Sequence, residues 1–142
     1  MKKIKLIDSW VWLIAVGFGL FIGAVVMNST VNASAMPFHF TFYWYSPDDA
    51  TRAQSKWTKS AYVLTSKTKD CNYQATAWGH CARAGRTGKV DVSGGHVYKI
   101  QGKGTHYLTN YLVEKYGTGN AAWIHVHHFG GEHASGTWKA DR

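Results

Sequence analysis

The chain has 142 residues, of which 45% are hydrophobic, and it carries a formal net charge of +8 with neutral histidines. This length predicts one small domain and excludes a second one of ordinary size. The positive charge favours an anionic partner, such as a bacterial envelope polymer, an acidic lipid surface or nucleic acid.

The first 35 residues have the layout of a secretory signal peptide. Three lysines at positions 2, 3 and 5 precede an uncharged apolar run over residues 10–27, and Ala33-Ser34-Ala35 forms an A-x-A cleavage site. We therefore predict cleavage after Ala35 and a secreted domain of residues 36–142. The alternative is an uncleaved membrane anchor, because eighteen apolar residues in a helix reach roughly 27 Å, close to the thickness of a bilayer core.

The predicted mature chain remains basic. Removal of Lys2, Lys3, Lys5 and Asp8 leaves 13 basic and 7 acidic residues, a formal charge of +6, and all eight histidines. Because histidines become charged in mild acid, the charge could more than double there. Export argues against nucleic acid as the partner, so an envelope polymer or lipid surface is favoured. The alternative is that the charge only keeps the domain soluble.

The mature chain begins with a strong strand pattern. Residues 38–45 alternate between side chains predicted to face the core and side chains predicted to face solvent. The Ser-Pro-Asp-Asp sequence at 46–49 then predicts a turn, and residues 49–56 are predicted to begin a short helix. The inward set is Phe38, Phe40, Phe42 and Trp44, and the outward set is His39, Thr41, Tyr43 and Tyr45.

Much of the remaining chain has the β-branched and aromatic content of strands. Residues 105–117 are predicted to form a short helix between Thr105 and Gly117, although their Tyr, Thr and Val residues also suit a strand. These elements predict an all-β fold, an antiparallel β-sandwich of six or seven short strands with one short helix. The further predicted strands are 60–66, 72–78, 96–100, 122–129 and 136–140.

The glycine-rich segment 82–95 is predicted to be a long loop. It carries Arg83, Arg86 and Lys89, which makes it the best local candidate for contacts with an anionic partner. Lys99 and Lys103 follow it and would add to the electrostatic attraction. The segment lacks the P-loop pattern, so we predict no phosphate-binding loop here.

The two cysteines, Cys71 and Cys81, are predicted to form a disulfide, because an exported protein meets an oxidising environment. The bond requires the segment between them to double back. In one straight strand its ends would lie roughly 33 Å apart, whereas bridged α-carbons lie within about 7 Å. The alternative is two unpaired thiols.

Residues 121–133 contain four histidines, and the strand pattern assigns them to different faces. Ile124 and Val126 mark the core side, which places His125 and His127 on the outward side with Trp123 and Phe129. These two histidines would lie about 7 Å apart, a spacing that two ligands of one zinc ion can use, and His133 could be the third. A metal-dependent or glycan-cleaving enzyme that uses this cluster is therefore an alternative.

The simpler interpretation is that His125 and His127 are polar residues on the solvent side of a strand. Without a G-x-S-x-G sequence or a papain-like cysteine context, we predict no catalytic residue, no metal and no cofactor. Large amphipathic rings accompany the histidines, and such rings stack on sugars or lie among lipid headgroups. The predicted binding rings are Trp123, Trp138, Tyr43 and Tyr45.

The sequences AAWIHVHHF and ASGTWKAD resemble the ending of small secreted β-sandwich proteins of Gram-positive bacteria whose function is unknown. Ser135, Gly136 and Trp138 match their final Ser-Gly-x-Trp strand, while the histidines and cysteines depart from the pattern. A basic, glycine- and aromatic-rich β-domain behind a signal peptide is similar in plan to the lactococcin-type bacteriocins. The resemblance implies an exported protein that acts on the envelope of neighbouring cells.

The function predicted from the sequence is that of a secreted, cationic, non-enzymatic protein that binds a bacterial cell-envelope component and acts as an antimicrobial. Charge would bring it to the anionic surface, and the aromatic rings would supply the short-range contacts.

Overall fold

A computed structural model of the protein describes residues 34–82 and 87–142. Within them the chain is mostly antiparallel β structure with one short helix, as the sequence predicts. The elements are β1 (Met36–Thr41), β2 (Asp48–Ala50), β3 (Gln54–Lys56), β4 (Tyr62–Ser66), β5 (Asn72–His80), β6 (Lys89–Asp91), β7 (Tyr98–Gln101), β8 (Gly104–Leu108), α1 (Leu112–Tyr116), β9 (Asn120–His127) and β10 (His133–Lys139).

The strands form two antiparallel sheets. The four-stranded sheet has the order β1-β10-β4-β8. The six-stranded sheet has the order β2-β9-β5-β6, and β3 pairs with β9 while β7 pairs with β5. The described residues thus hold ten strands, more than the six or seven predicted. The excess comes mainly from β2, β3 and β6, which have three residues each and are too short to show a periodic pattern.

Both sheets contribute side chains to one hydrophobic core, in which the alternating residues of the long strands meet. The inward positions predicted for Phe38, Phe40 and Phe42 are confirmed, since all three are buried. The ring of Phe40 packs edge-on against Tyr73 of the other sheet, with 5.7 Å between centroids. On β9 the aliphatic side chains of Ile124 and Val126 are buried, also as predicted.

The inward prediction for Trp44 is wrong, because β1 ends before this residue. Tyr43 and Ser46 close a tight turn through two backbone hydrogen bonds of 3.1 Å, and Trp44 lies at its tip with 79% of its surface exposed. Alternation holds only while the chain stays extended, so the turn places this ring in solvent.

The helix predicted over residues 49–56 is replaced by strands β2 and β3, which both pair with β9. Between them Thr51 joins the same strand, because its N–H donates to the Ile124 carbonyl and its hydroxyl accepts from the Ile124 N–H. Pairing with a long central strand therefore outweighs the weak local preference for helix.

The helix predicted over residues 105–117 forms only in its second half. The first half is β8, which pairs with β4 from Leu108 to Gly104. Helix α1 begins at Leu112, without a side-chain cap, and is followed by the C-cap residue Gly117, whose φ of 88° lies in the left-handed region that glycine adopts readily. The predicted cap at Thr105 is wrong, while the predicted end at Gly117 is confirmed.

The predicted disulfide between Cys71 and Cys81 is wrong in this structure, where both thiols are free and buried. Cys71 precedes the nine-residue strand β5 and Cys81 follows it. An extended strand of this length separates its ends by roughly 30 Å, far beyond the distance a disulfide can bridge.

No helix among the described residues is long and apolar enough to cross a membrane. The predicted signal peptide depends on the apolar run over residues 10–27, and so does the alternative of an uncleaved membrane anchor. This run lies outside the described residues.

Candidate binding surface

Four connections between the two sheets meet at one end of the β structure, here termed the loop end: residues 42–47, 67–71, 102–103 and 128–132. The strand registers bring them together, since Thr41 pairs with His133 in one sheet and Asn72 pairs with Gln101 in the other. Backbone hydrogen bonds join the first and last connections, from Phe42 N–H to the Glu132 carbonyl and from His128 N–H to the Pro47 carbonyl.

The loop end carries four exposed aromatic rings, those of Tyr43, Trp44, Tyr45 and Phe129. Tyr43 and Tyr45 stack with 5.1 Å between ring centroids, and Trp44 contacts Tyr45 edge-on at 5.4 Å. Phe129 lies on the neighbouring connection with 71% of its surface exposed. Exposed rings clustered on adjoining loops are typical of an interface rather than of ordinary surface.

The loop end also carries exposed lysines. Lys67, Lys69 and Lys103 lie in the connections of the loop end, and Lys99 lies on β7, which runs toward it; all four are exposed. A cleft of about 240 Å³ opens beside Phe129, with Lys99 and His127 among its lining residues. A side-chain cation and several polar groups in one cleft suit an anionic ligand group.

His125 and His127 lie half-buried on the outer face of the six-stranded sheet, on the side predicted from the sequence. Both face one carboxylate, because Asp48 Oδ1 is 2.7 Å from His127 Nδ1 and 3.4 Å from His125 Nε2. The ring of His127 also contacts Phe129 edge-on at 4.7 Å. Asp48 therefore holds His127 beside the loop end.

The histidine cluster predicted as an alternative metal or catalytic site is not assembled in the structure. His133 lies on the four-stranded sheet. Its ring stacks on the ring of His39 with 5.7 Å between centroids, and its Nδ1 is 3.3 Å from the Thr41 hydroxyl oxygen. His125 and His127 lie on the other sheet with Asp48. Alternation within strand β9 predicted the common face of His125 and His127 correctly. It could not predict that His133 lies on the other sheet.

The other predicted binding residues are dispersed. Trp138 is only 1% exposed and belongs to the core, so its predicted surface role is wrong. Trp123 is half-buried opposite Trp78 on the outer sheet face. Lys89 pairs with His80 at the end of β5 remote from the loop end. The prediction for Arg83 and Arg86 falls outside the described residues.

Of the predicted residues, the structure places Tyr43, Tyr45 and Lys103 on the loop end, His127 beside it and Lys99 on the strand that runs toward it. The sequence reasoning missed Trp44 and omitted Phe129 from the binding set. The Ser-Pro-Asp-Asp turn signal was the available clue, because a strand that ends before Ser46 need not keep Trp44 inside.

The chain matches no family model, no curated protein and no solved structure. The resemblance to small secreted Gram-positive proteins and to lactococcin-type bacteriocins thus remains a prediction.

Proposed function

We propose that this protein is a secreted, cationic β-sandwich protein that binds an anionic component of the bacterial cell envelope and acts as a bacteriocin-like antimicrobial. The observation that carries the proposal is the loop end, where four exposed aromatic rings lie on hydrogen-bonded connections and where other connections carry exposed lysines. The binding partner is an envelope polymer or a lipid surface, and the function requires neither a cofactor nor nucleic acid.

The rings would supply the short-range contacts. Burial of a large apolar side chain contributes roughly 1.5–3 kcal/mol, and stacking within the tight turn already restricts Tyr43 and Tyr45 before binding. Because little side-chain freedom remains to be lost, much of the burial energy appears as affinity.

The lysines would supply the long-range attraction. Each lysine near an anionic surface contributes about 1 kcal/mol, and this contribution weakens once salt shortens the screening length to about 8 Å. Lys67, Lys69, Lys99 and Lys103 are all exposed and free to approach such a surface.

Removal of the most exposed loop-end rings should weaken envelope binding. We expect the double variant Trp44→Ala/Phe129→Ala of residues 36–142 to lose binding by about tenfold or more, because two side chains no longer leave water. The measurement is co-sedimentation with phosphatidylglycerol vesicles and, separately, with purified Gram-positive cell walls. The matched control is Trp57→Ala, which removes an exposed tryptophan next to β3, remote from the loop end.

The two sedimentation experiments distinguish the partners. A loss in the vesicle experiment alone identifies a lipid surface, and a loss with cell walls alone identifies a polymer. Equal losses for Trp57→Ala and the double variant would contradict a role for the loop end.

Charge removal at the loop end should reduce both the affinity and its dependence on salt. We expect Lys99→Ala/Lys103→Ala to lower binding at low salt by roughly tenfold, with the difference from wild type shrinking as salt rises. The control, Lys59→Ala/Lys89→Ala, removes the same charge from exposed positions remote from the loop end. An identical salt dependence for the two double variants would show that only net charge matters.

A further inference from the structure

Three side chains of different chemistry meet at the loop end, in a group that no sequence pattern marks. They are the thiol of Cys71 before β5, the imidazole of His128 after β9 and the carboxylate of Glu132 before β10. One potential ligand atom from each side chain lies within 4.8 Å of the other two. Among the described residues, this is the one group of three or more His, Cys, Asp or Glu side chains that are close enough to hold a metal ion.

The backbone fixes two of these three residues. His128 N–H donates to the Pro47 carbonyl, and the Glu132 carbonyl accepts from Phe42 N–H, at 2.9 and 3.0 Å. The ring of Phe42 packs edge-on against the His128 imidazole at 5.3 Å, which restricts the orientation of that imidazole. The third residue, Cys71, is buried beside them. The fold therefore sets the backbone positions of His128 and Glu132, and packing restricts the side chains of His128 and Cys71.

The His128 imidazole has an unsatisfied buried nitrogen. Its Nε2 lies 3.2 Å from Glu132 Oε2, yet the geometry is not that of a hydrogen bond, and this buried atom has no hydrogen-bond partner. Buried nitrogens are usually satisfied, so an atom without a partner requires an explanation. A bound cation that accepts the lone pair of a neutral imidazole would provide one.

Burial of the Cys71 thiol, together with the neighbouring Glu132 carboxylate, raises its pKa to about 11. A divalent cation between the two groups would reverse the effect of the carboxylate and favour the thiolate.

We propose that Cys71, His128 and Glu132 form a zinc site with three protein ligands. Thiolate, imidazole and carboxylate are the ligands that Zn²⁺ takes in proteins, whereas Mg²⁺ and Ca²⁺ require oxygen ligands. In a tetrahedral zinc site a ligand nitrogen and oxygen lie about 3.4 Å apart, close to the 3.2 Å that separates His128 Nε2 from Glu132 Oε2.

On binding, the Cys71 thiol loses its proton to solvent and its sulfur forms a bond to Zn²⁺, while neutral His128 and ionised Glu132 bind without further proton loss. Three ligands leave a fourth position of the tetrahedron open. His128 also lines the cleft beside Phe129. The fourth ligand is then water or a donor group of a molecule in this cleft.

The test uses the full-length chain, reduced and freed of metal, titrated with Co²⁺ as a spectroscopic substitute for Zn²⁺. We expect one Co²⁺ per chain, a thiolate-to-cobalt charge-transfer band, the visible absorption of a tetrahedral ion, and displacement of Co²⁺ by Zn²⁺. The variant Cys71→Ser should lose the charge-transfer band and bind more weakly by over about 100-fold, more than loss of an outer-shell partner causes.

The matched control is Cys81→Ser, which alters the other buried free cysteine and should keep the band and the affinity. A second variant, Glu132→Gln, changes a half-exposed side chain and should fold normally even if Cys71→Ser does not. It should keep the charge-transfer band while its Co²⁺ and Zn²⁺ affinities fall. Absence of a thiolate band in wild type, or weak binding that none of the variants alters, would overturn the zinc site.

Discussion

Replacement of Asp141 by asparagine is expected to lower the free energy of unfolding by about 3–5 kcal/mol, because it leaves a buried lysine without its counter-ion. Lys56 is fully buried, and its Nζ lies 2.9 Å from Asp141 Oδ1. The carboxylate also accepts hydrogen bonds from the backbone N–H groups of Trp57 and Thr58 and from the Thr58 hydroxyl. It therefore anchors the end of β10 to the segment after β3.

Urea unfolding at neutral pH measures this effect. Arg142→Gln is the control, since it changes the neighbouring exposed side chain. We expect Lys56→Met to cost less than Asp141→Asn, because the carboxylate then keeps three of its four hydrogen bonds. A domain of this size is typically stable by about 5–15 kcal/mol, so Asp141→Asn removes a large part of the total.

The same pair makes the fold sensitive to acid. Hydrogen bonds from Lys56 and Thr58 outweigh the effect of burial and hold the pKa of Asp141 below the ordinary aspartate value. The unfolded chain thus binds a proton at a higher pH than the folded chain, and the stabilisation, complete above about pH 4, is lost as pH falls through the folded pKa. Wild type and Asp141→Asn should therefore differ less at about pH 2 than at pH 7. An unchanged difference would contradict this assignment.

Replacement of Trp138 by alanine is expected to cost about 3–5 kcal/mol, because it leaves a cavity where the largest core side chain lies. Trp138 lies on β10 between β1 and β4, and its ring packs against Tyr62 at 5.9 Å. Its indole N–H is buried without a hydrogen-bond partner. Trp138→Phe should therefore cost much less, since it fills most of the space and removes an unsatisfied donor.

Urea unfolding of both Trp138 variants measures the stability effect, and vesicle sedimentation of the folded Trp138→Phe variant should show unchanged binding. Trp138 is thus expected to affect stability and not envelope recognition. A variant with native stability and lost binding would instead support the surface role that the sequence predicted for this ring.

Alternation of apolar and polar residues predicted the long strands well, because successive side chains of an extended strand point to opposite faces of the sheet. It placed Phe38, Phe40 and Phe42 inside, and it placed His125 and His127 on the outer face of β9. The overall class of antiparallel β structure followed from the same pattern.

What the sequence could not predict depends on where strands end and on which strands pair. The Tyr43–Ser46 turn exposes Trp44, and the straight course of β5 separates the cysteines. The proposed zinc ligands come from two connections, residues 67–71 and 128–132, that only the order of strands in the two sheets brings together. No local pattern marks such a group, since Cys71 lies far from His128 along the chain.

The measurement that tests the central claim most directly is the exposure of Gram-positive cells to residues 36–142, with bound protein and growth scored together. Three proteins are compared: wild type, Trp44→Ala/Phe129→Ala and the control Trp57→Ala. We predict that wild type and the control bind the cells and inhibit growth, and that the double variant does neither at the same concentration. Equal binding by all three proteins, or binding by none, would contradict the assignment of envelope recognition to the loop end.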